Sequence, residues 1–195
     1  MAGEKSTKLT DPRALRALAH PVRLGLMAEL RQGGPLTATQ AGERLGETPS
    51  SCSFHLRQLA KYGLVEEAGG GRGRERPWRA TAITTDWAPQ GASKEADAAS
   101  ALLSRVVVER YFQTTLEWLD RRNREDPEWV GAASLNDVLV YMTPAELREL
   151  DAKIRNFLKP YLNRLEDPTP PVEGARLVSI IALGFPLSDD TPRGR

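Results

Sequence analysis

Residues 37–81 read TATQAGERLGETPSSCSFHLRQLAKYGLVEEAGGGRGRERPWRAT. Two short amphipathic helix patterns, at about residues 38–45 and 49–62, are separated by a turn at Gly46 and Glu47. A short apolar strand, a turn rich in Arg and Gly, and a returning strand follow. The order of helix, turn, helix and two-stranded wing predicts a fold that places its second helix in a DNA major groove.

The start of this second helix is marked by Thr48 as N-cap and Pro49 as the first helical residue. The first residues of a recognition helix contact base edges, where hydroxyl groups donate or accept hydrogen bonds and an apolar ring can meet a thymine methyl group. Later residues of the helix and the arginines of the wing can reach phosphates. The predicted DNA-binding residues are Thr48, Pro49, Ser50, Ser51, Ser53, Phe54, His55, Arg57, Arg72, Arg74 and Arg76.

Arg72 and Arg74 lie on the Gly-rich tip of the predicted wing. Replacing both with Ala is expected to weaken operator binding and to flatten its dependence on salt, because fewer phosphate charges would be neutralised. Fluorescence anisotropy at several salt concentrations measures both effects. An unchanged salt slope would show that the wing makes no contact with the phosphates.

The remaining sequence predicts a mostly α protein with little β structure. Residues 1–10 are polar and expected to be disordered, residues 11–83 form the winged helix-turn-helix domain, and residues 84–92 form a linker. A long dimerisation helix is predicted at residues 93–124, since its apolar residues continue beyond what one small domain can cover. The C-terminal region is predicted to be a strand, a helix that begins with a capping box at Thr143, and a second strand. These C-terminal elements span about residues 135–142, 143–165 and 175–185.

Three stretches carry a family resemblance: LRALAHPVRLGLMAEL at 15–30, SFHLRQLAKYGLV at 53–65, and the wing GRGRERPW at 71–78. Together they resemble the ArsR-type winged-helix transcriptional regulators. The resemblance covers residues 11–83 and implies a homodimer, acting as a repressor, that binds double-stranded DNA at an inverted-repeat operator.

Bulk composition is consistent with this assignment. The net charge of +1 conceals an excess of five positive charges in residues 1–80 and of four negative charges in residues 81–195. A basic N-terminal half is typical of a protein that presents one face to phosphates. The chain has no apolar stretch long enough to span a membrane and no secretory signal, and it has a single cysteine, so we expect a cytoplasmic protein that does not act on membranes.

Metal and redox chemistry are not expected. Many proteins of the resembled family sense metals through cysteines near the third helix, but residues 37–43 contain neither Cys nor His. The whole chain has one Cys and two His, too few for a thiolate site. This count leaves open a site built from Asp and Glu side chains at a dimer interface. His20 is expected to make an interhelical hydrogen bond. Cys52 is expected to be a small buried residue rather than a redox switch. We expect no cofactor and no catalytic site, because no phosphate-binding loop or catalytic triad pattern is present.

The C-terminal region leaves alternatives open. Its aromatic residues, together with one from the long helix, could enclose an apolar pocket for a small-molecule effector, or they could form a core or dimer interface. The residues concerned are Trp118, Trp129, Tyr141, Phe157 and Tyr161. A small-molecule-binding protein whose C-terminal region is the main functional unit is therefore the alternative to a DNA-binding regulator. A third alternative, an adaptor that binds proteins through its winged helix, gives the wing arginines no purpose.

Overall fold

A computed structural model describes residues 6–71, 76–87, 93–162, 164 and 172–187. The chain divides into two compact units, Met1–Arg124 and Glu125–Arg195, and each is described by itself. None of the helices in the described ranges is long and apolar enough to cross a lipid bilayer. The protein is mostly helical with two small sheets, as the sequence predicts.

Among its described residues, the first unit contains four short helices, four short strands and one long helix. Pro occupies the first turn of three of the short helices, where its missing N–H group costs no hydrogen bond. The predicted N-caps Asp11, Thr37 and Thr48 each accept a backbone hydrogen bond at the start of a helix. The elements are β1 Ser6–Leu9, α1 Pro12–Leu18, α2 Pro21–Gly33, α3 Ala38–Leu45, α4 Pro49–Ala60, β2 Val65–Glu67, β3 Trp78–Ala80, β4 Thr84–Trp87 and α5 Lys94–Arg121.

One hydrophobic core holds the first unit together. It lies between α1, α2, α4 and the N-terminal half of α5, and α3 packs on α4 at its edge. Burying one such aliphatic side chain contributes about 1.5–3 kcal/mol, so this cluster is the main source of the unit's stability. Its largest fully buried residues are Leu15, Leu26, Leu56, Leu59, Leu64 and Leu103.

The predictions for the N-terminus and the linker are corrected where the structure describes them. β1 pairs in parallel with β4, so residues 6–9 are ordered and residues 84–87 form a strand instead of a linker. Burial of Leu9 and a hydrogen bond from Ser6 Oγ to Asp86 Oδ2 at 2.7 Å hold the pair together. The side chain of Arg31 in α2 donates to the carbonyl oxygen of Ala82. Burial of this guanidinium lowers the pKa of Arg31 to about 10. Residues 1–5 and 88–92 lie outside the described ranges.

The long helix α5 is confirmed, and a short 3-10 turn, Arg122–Arg124, extends it. Its buried residues, from Ala96 to Val107, lie in its N-terminal half, which packs on α1. A second apolar row lies on the opposite side of the helix and is exposed. This outer row consists of Leu102, Val108, Phe112 and Leu116.

The described residues of the second unit form two helices, α6 Pro127–Ala132 and α7 Pro144–Leu162. The capping box at the start of α7 is confirmed, since Thr143 N donates to Glu146 Oε2 at 2.7 Å and Glu146 N donates to Thr143 Oγ1 at 3.3 Å. This pairing lowers the pKa of Glu146 through its hydrogen bonds with Thr143. The helix α6 is not predicted from the sequence, although Asp126 caps it and Pro127 begins it.

The prediction of two C-terminal strands is wrong for a single copy of the chain. Residues 135–142 and 175–185 form neither strand nor helix. Their β-branched and aromatic residues favour strands, but a strand needs a hydrogen-bonded neighbour, and the described part of the chain supplies none. Within the second unit, Tyr141, Phe157 and Tyr161 are all exposed, so these three aromatic residues enclose no apolar pocket in the described part of this unit.

Candidate nucleic-acid interface

The orientation of α4 follows from its buried side. Cys52, Leu56 and Leu59 are fully buried at helical spacing, so one face of the helix is fixed against the core. The opposite face is directed to solvent, and Phe54 lies on it with 51% of its surface exposed. The core therefore fixes the rotation of α4 about its axis. This rotation determines which side chains are accessible to a ligand.

The N-terminal turn of α4 presents a cluster of hydroxyl groups. Thr48 Oγ1 accepts a hydrogen bond from Ser51 N at 3.2 Å and lies 3.1 Å from Ser50 Oγ. Ser51 Oγ donates to Glu47 Oε2 at 3.0 Å, which turns this hydroxyl back toward the preceding loop. Thr48, Pro49 and Ser50 are exposed, so these three form the accessible tip of the helix.

The turn between α3 and α4 requires Gly42. A Cβ atom at this residue would lie 2.6 Å from the carbonyl oxygen of Glu47 and 3.5 Å from Pro49 N. Glu47 N donates to the carbonyl oxygen of Gly42 at 2.9 Å, which holds the loop against α3. Gly46 ends α3 with a φ of 67°, a left-handed conformation that suits glycine. The crossing of the two helices therefore depends on the absence of a side chain at residue 42.

The wing is an antiparallel pair in which Val65 faces Ala80 and Glu67 faces Trp78. Trp78 also exchanges two backbone hydrogen bonds with Leu36, which ties the wing to the residues before α3. Arg76 Nη1 donates to Glu67 Oε1 at 3.0 Å, so this predicted contact residue is paired across the base of the wing. An exposed ion pair of this kind contributes about 0–1 kcal/mol and exchanges readily for another anion. Arg72 and Arg74 lie outside the described residues.

A cleft of about 640 Å³ lies between the N-terminus of α3, the outer face of α4 and the base of the wing. It brings together three of the predicted residues, Ser53, Arg57 and Arg76. Arg57 Nη1 donates to Ser53 Oγ at 2.8 Å, so the guanidinium lies along the wall of the cleft. The same cleft is lined by Thr37, Thr39 and Trp78, which are not among the residues predicted to bind DNA. Thr37 caps α3 and Thr39 lies in its first turn, and this position at a helix start is the sequence feature that could have identified them.

His55 is not presented with the other predicted residues. Its ring packs against that of His20, with centroids 4.5 Å apart and the ring planes tilted by 38°, and its Nδ1 atom is buried without a hydrogen-bond partner. His20 Nδ1 accepts from Val22 N at 3.2 Å, so this residue caps α2 locally rather than making the predicted interhelical hydrogen bond. His55 is three residues after Cys52 and four before Leu59, which places it at the edge of the buried face. We therefore assign His55 to the junction of α2 and α4.

Burial is the largest effect that lowers the pKa of both His20 and His55. The neighbouring His20 also lowers the pKa of His55, and the charge of Arg23 lowers both pKa values further. Glu47 acts in the opposite direction and raises both pKa values. Burial also lowers the pKa of Arg23, whose Nε atom has no hydrogen-bond partner. The lowered pKa values at this junction thus favour the neutral form of both imidazoles beside the cation of Arg23.

The stability of the fold should consequently depend on pH. Because the unfolded histidines bind protons near pH 6.5 and the folded ones bind them only at lower pH, the free energy of unfolding should fall as the pH drops below about 6.5. Urea unfolding between pH 7.5 and pH 5 measures this loss. The double variant His20→Asn and His55→Gln keeps a cap acceptor at residue 20 but cannot bind these protons, and its stability should vary less over this range. An equal pH dependence in both proteins would contradict the assignment.

Cys52 is confirmed as a buried residue of the inner face of α4. Burial raises the pKa of its thiol, and the nearby Glu47 raises it further. Thiolate is the reactive form, so this environment does not favour oxidation. Among the described residues, no three His, Cys, Asp or Glu side chains converge as metal ligands.

Comparison with known proteins identifies the central part of the first unit. The family model of a helix-turn-helix domain matches residues 18–68, which include α2, α3, α4 and β2. No curated protein matches the chain. The solved structure of reduced HlyU from Vibrio cholerae is 24% identical over 48% of this chain and 84% of that chain, with a TM-score of 0.31. The family match supports a DNA-binding regulator of the helix-turn-helix class.

Proposed function

We propose that this protein is a transcriptional repressor of the ArsR type that binds an inverted-repeat operator as a homodimer. The observation that carries the proposal is the arrangement of α4. Its inner face is locked in the core, while its N-terminal hydroxyls, Phe54 and the cleft with Arg57 all lie on the accessible side of the helix-turn-helix domain.

The tip of α4 is the part of the domain that reads bases in this proposal. Ser50 and Thr48 can donate to or accept from base edges, and Phe54 can pack on a thymine methyl group. Ser51 is less available because its hydroxyl is bonded to Glu47. Hydroxyls accept several partners, so much of the discrimination would come from how closely the domain is held against the duplex.

The cleft between α4 and the wing would receive the phosphate backbone. Arg57 of α4 and Arg76 of the wing both line it, together with Thr37 and Ser53. An arginine fork can bind a phosphate with two parallel hydrogen bonds. Release of Arg76 from Glu67 has a small energetic cost, so this residue can move to a phosphate when DNA arrives.

A homodimer is supported by the outer row of α5. Leu102, Val108, Phe112 and Leu116 are exposed along one side of a helix about 42 Å long. A self-complementary surface on a long helix is a common basis for two-fold assembly. We expect light scattering to give a mass twice the 21.5 kDa of one chain. A mass of 21.5 kDa at micromolar concentration would contradict the homodimer.

The other parts of the proposal concern chemistry and location. We place the protein in the cytoplasm, without catalytic activity, cofactor or thiolate metal site. The absence of a thiolate metal site is supported by the few residues that could bind a metal. The single cysteine is buried, and the two histidines pack against each other at a helix junction. Binding to the operator should therefore be unaffected by zinc chelators.

Selection of bound duplexes from a random DNA pool tests the proposed function. A symmetric dimer should enrich a palindrome whose half-sites lie about one helical turn, roughly 10 base pairs, apart. Enrichment of a single half-site would contradict the dimeric arrangement, and recovery of no motif would contradict sequence-specific binding.

A further inference from the structure

The second unit has no core of its own among its described residues. In residues 125–162 and 172–187 no side chain is buried, and α7 buries none of its nineteen residues. By contrast, the first unit buries a contiguous cluster of leucines. A compact unit without a core cannot offset its loss of chain entropy, so it must obtain buried surface from elsewhere.

Two apolar segments of this unit lack secondary structure and have unused backbone groups. Residues 135–140 and 177–187 take part in no backbone hydrogen bond in the described part of the chain. The second segment, LVSIIALGFPL, is a nearly continuous apolar run, which is the pattern of strands that are covered on both faces, and the first segment, LNDVLV, ends in three apolar residues. Such segments are templates for pairing with another strand.

The helix α7 covers only part of this surface. A Cβ atom at Gly184 would lie 2.9 Å from Leu147 Cδ1, so the second segment packs closely against the first turn of α7. A stripe of α7, with Leu150, Phe157 and Tyr161, is exposed. These three residues are spaced by seven and four, so they lie on one side of the helix. Leu147 is three residues before Leu150 and lies beside this stripe on the same face of α7. The second segment therefore contacts the start of the apolar face, and the stripe itself has no cover among the described residues of the unit.

We infer that the second unit of another copy of this chain completes this one, with residues 135–140 and 177–187 of both copies pairing through their backbones in an intermolecular sheet covered by the two α7 helices. The inference rests on the homodimer proposed above and assigns its main contact to the second unit.

The exposed area fits an obligate dimer. The large apolar side chains that are exposed in this unit, if buried, would remove on the order of 1,000 Å² of apolar surface per copy. A stable interface buries about 800 Å² per partner, whereas monomers rarely expose patches of more than a few hundred. The residues concerned are Leu135, Val138, Leu139, Val140, Met142, Leu150, Phe157, Tyr161, Leu177, Val178, Ile180, Ile181, Leu183, Phe185 and Leu187.

Strand length and charge favour a second copy as the occupant. The strands in the described part of the first unit are three or four residues long, which is shorter than either segment. The first segment has one charged residue, Asp137, and residues 177–187 have none. Two identical copies can therefore approach without placing like charges opposite each other, apart from a register that opposes the two Asp137 residues.

Hydrogen–deuterium exchange of the full-length protein tests this inference. In the dimer, the amides of residues 138–140 and 177–183 should exchange at least about 100-fold more slowly than in an unstructured chain, because they would be hydrogen bonded. Rapid exchange of both segments in a dimeric protein would overturn the inference. Slow exchange of the same segments in a monomer would also overturn it, because it would show cover from within one chain.

A pair of variants at Val140 separates backbone pairing from side-chain burial. Val140→Pro removes a backbone donor, and we expect it to abolish protection in both segments and to raise the dimer dissociation constant at least about tenfold. Val140→Thr keeps the donor and the branched shape, and it should retain protection. Slow exchange of residues 49–60 in both variants confirms that the first unit is folded. Equal behaviour of the two variants would contradict backbone pairing.

Operator binding is measured separately in the wild-type protein. If the dimer binds operator but both segments exchange rapidly, the inference fails and the proposed function stands. If both segments are protected in a dimer that binds no DNA, the proposed function fails and the intermolecular sheet stands.

Discussion

Replacing Arg57 with alanine is expected to weaken operator binding by a factor on the order of 100. The guanidinium lies in the cleft between α4 and the wing, and a symmetric dimer would lose one such contact in each subunit, about 1.4 kcal/mol apiece. The slope of log affinity against log salt should also decrease by about 2, one unit for each lost phosphate contact. Fluorescence anisotropy titrations at several salt concentrations measure both quantities.

The matched control for this variant is Arg155→Ala. Arg155 is an exposed arginine on α7 that pairs with Asp151 at 2.9 Å, so its removal changes the net charge equally in a different unit. This control should bind the operator with nearly the affinity of the wild type. Arg57 is exposed, so its replacement should change the free energy of unfolding by less than about 0.5 kcal/mol. Equal affinities of the two variants would show that the cleft does not contact DNA.

Replacing Gly42 with alanine is expected to destabilise the first unit by about 1–3 kcal/mol, because the new methyl group would overlap the carbonyl oxygen of Glu47. The neighbouring atoms belong to the backbone and cannot move aside by changing a rotamer. The loop that begins α4 must shift instead, so operator binding should fall as well. Urea unfolding and anisotropy titration measure the two effects.

Gly131→Ala is the matched control for this change. Gly131 is also inside a helix, and an added Cβ atom there has no neighbour within 4 Å. Alanine has the higher helix propensity by about 1 kcal/mol, so the control should be as stable as the wild type or slightly more so. If Gly42→Ala behaved in the same way, the close approach of α3 to the loop would be disproved.

The parts of the fold that depend on neighbouring residues could be predicted from the sequence. Asp11, Thr48 and Thr143 mark helix starts because their side chains bond to backbone groups two or three residues away. The buried face of α4 could also be predicted, since helical periodicity places Cys52 and Leu56 together.

The parts that depend on distant residues could not be predicted. β1 pairs with a strand almost eighty residues away, and nothing in its polar sequence indicates that partner. The cleft could be predicted only in part, because Trp78 reaches it through a bridge to Leu36. The inward position of His55 depends on the ring of His20 from another helix. The C-terminal strands were predicted from residue preference, which does not specify a partner for the backbone.

Competition binding measures whether α4 and its cleft recognise a specific DNA sequence. The affinity for the selected operator is compared with that for a duplex of the same composition in scrambled order, at physiological salt. We expect a preference of at least about 1,000-fold for the operator. Equal affinity for the two duplexes would contradict it.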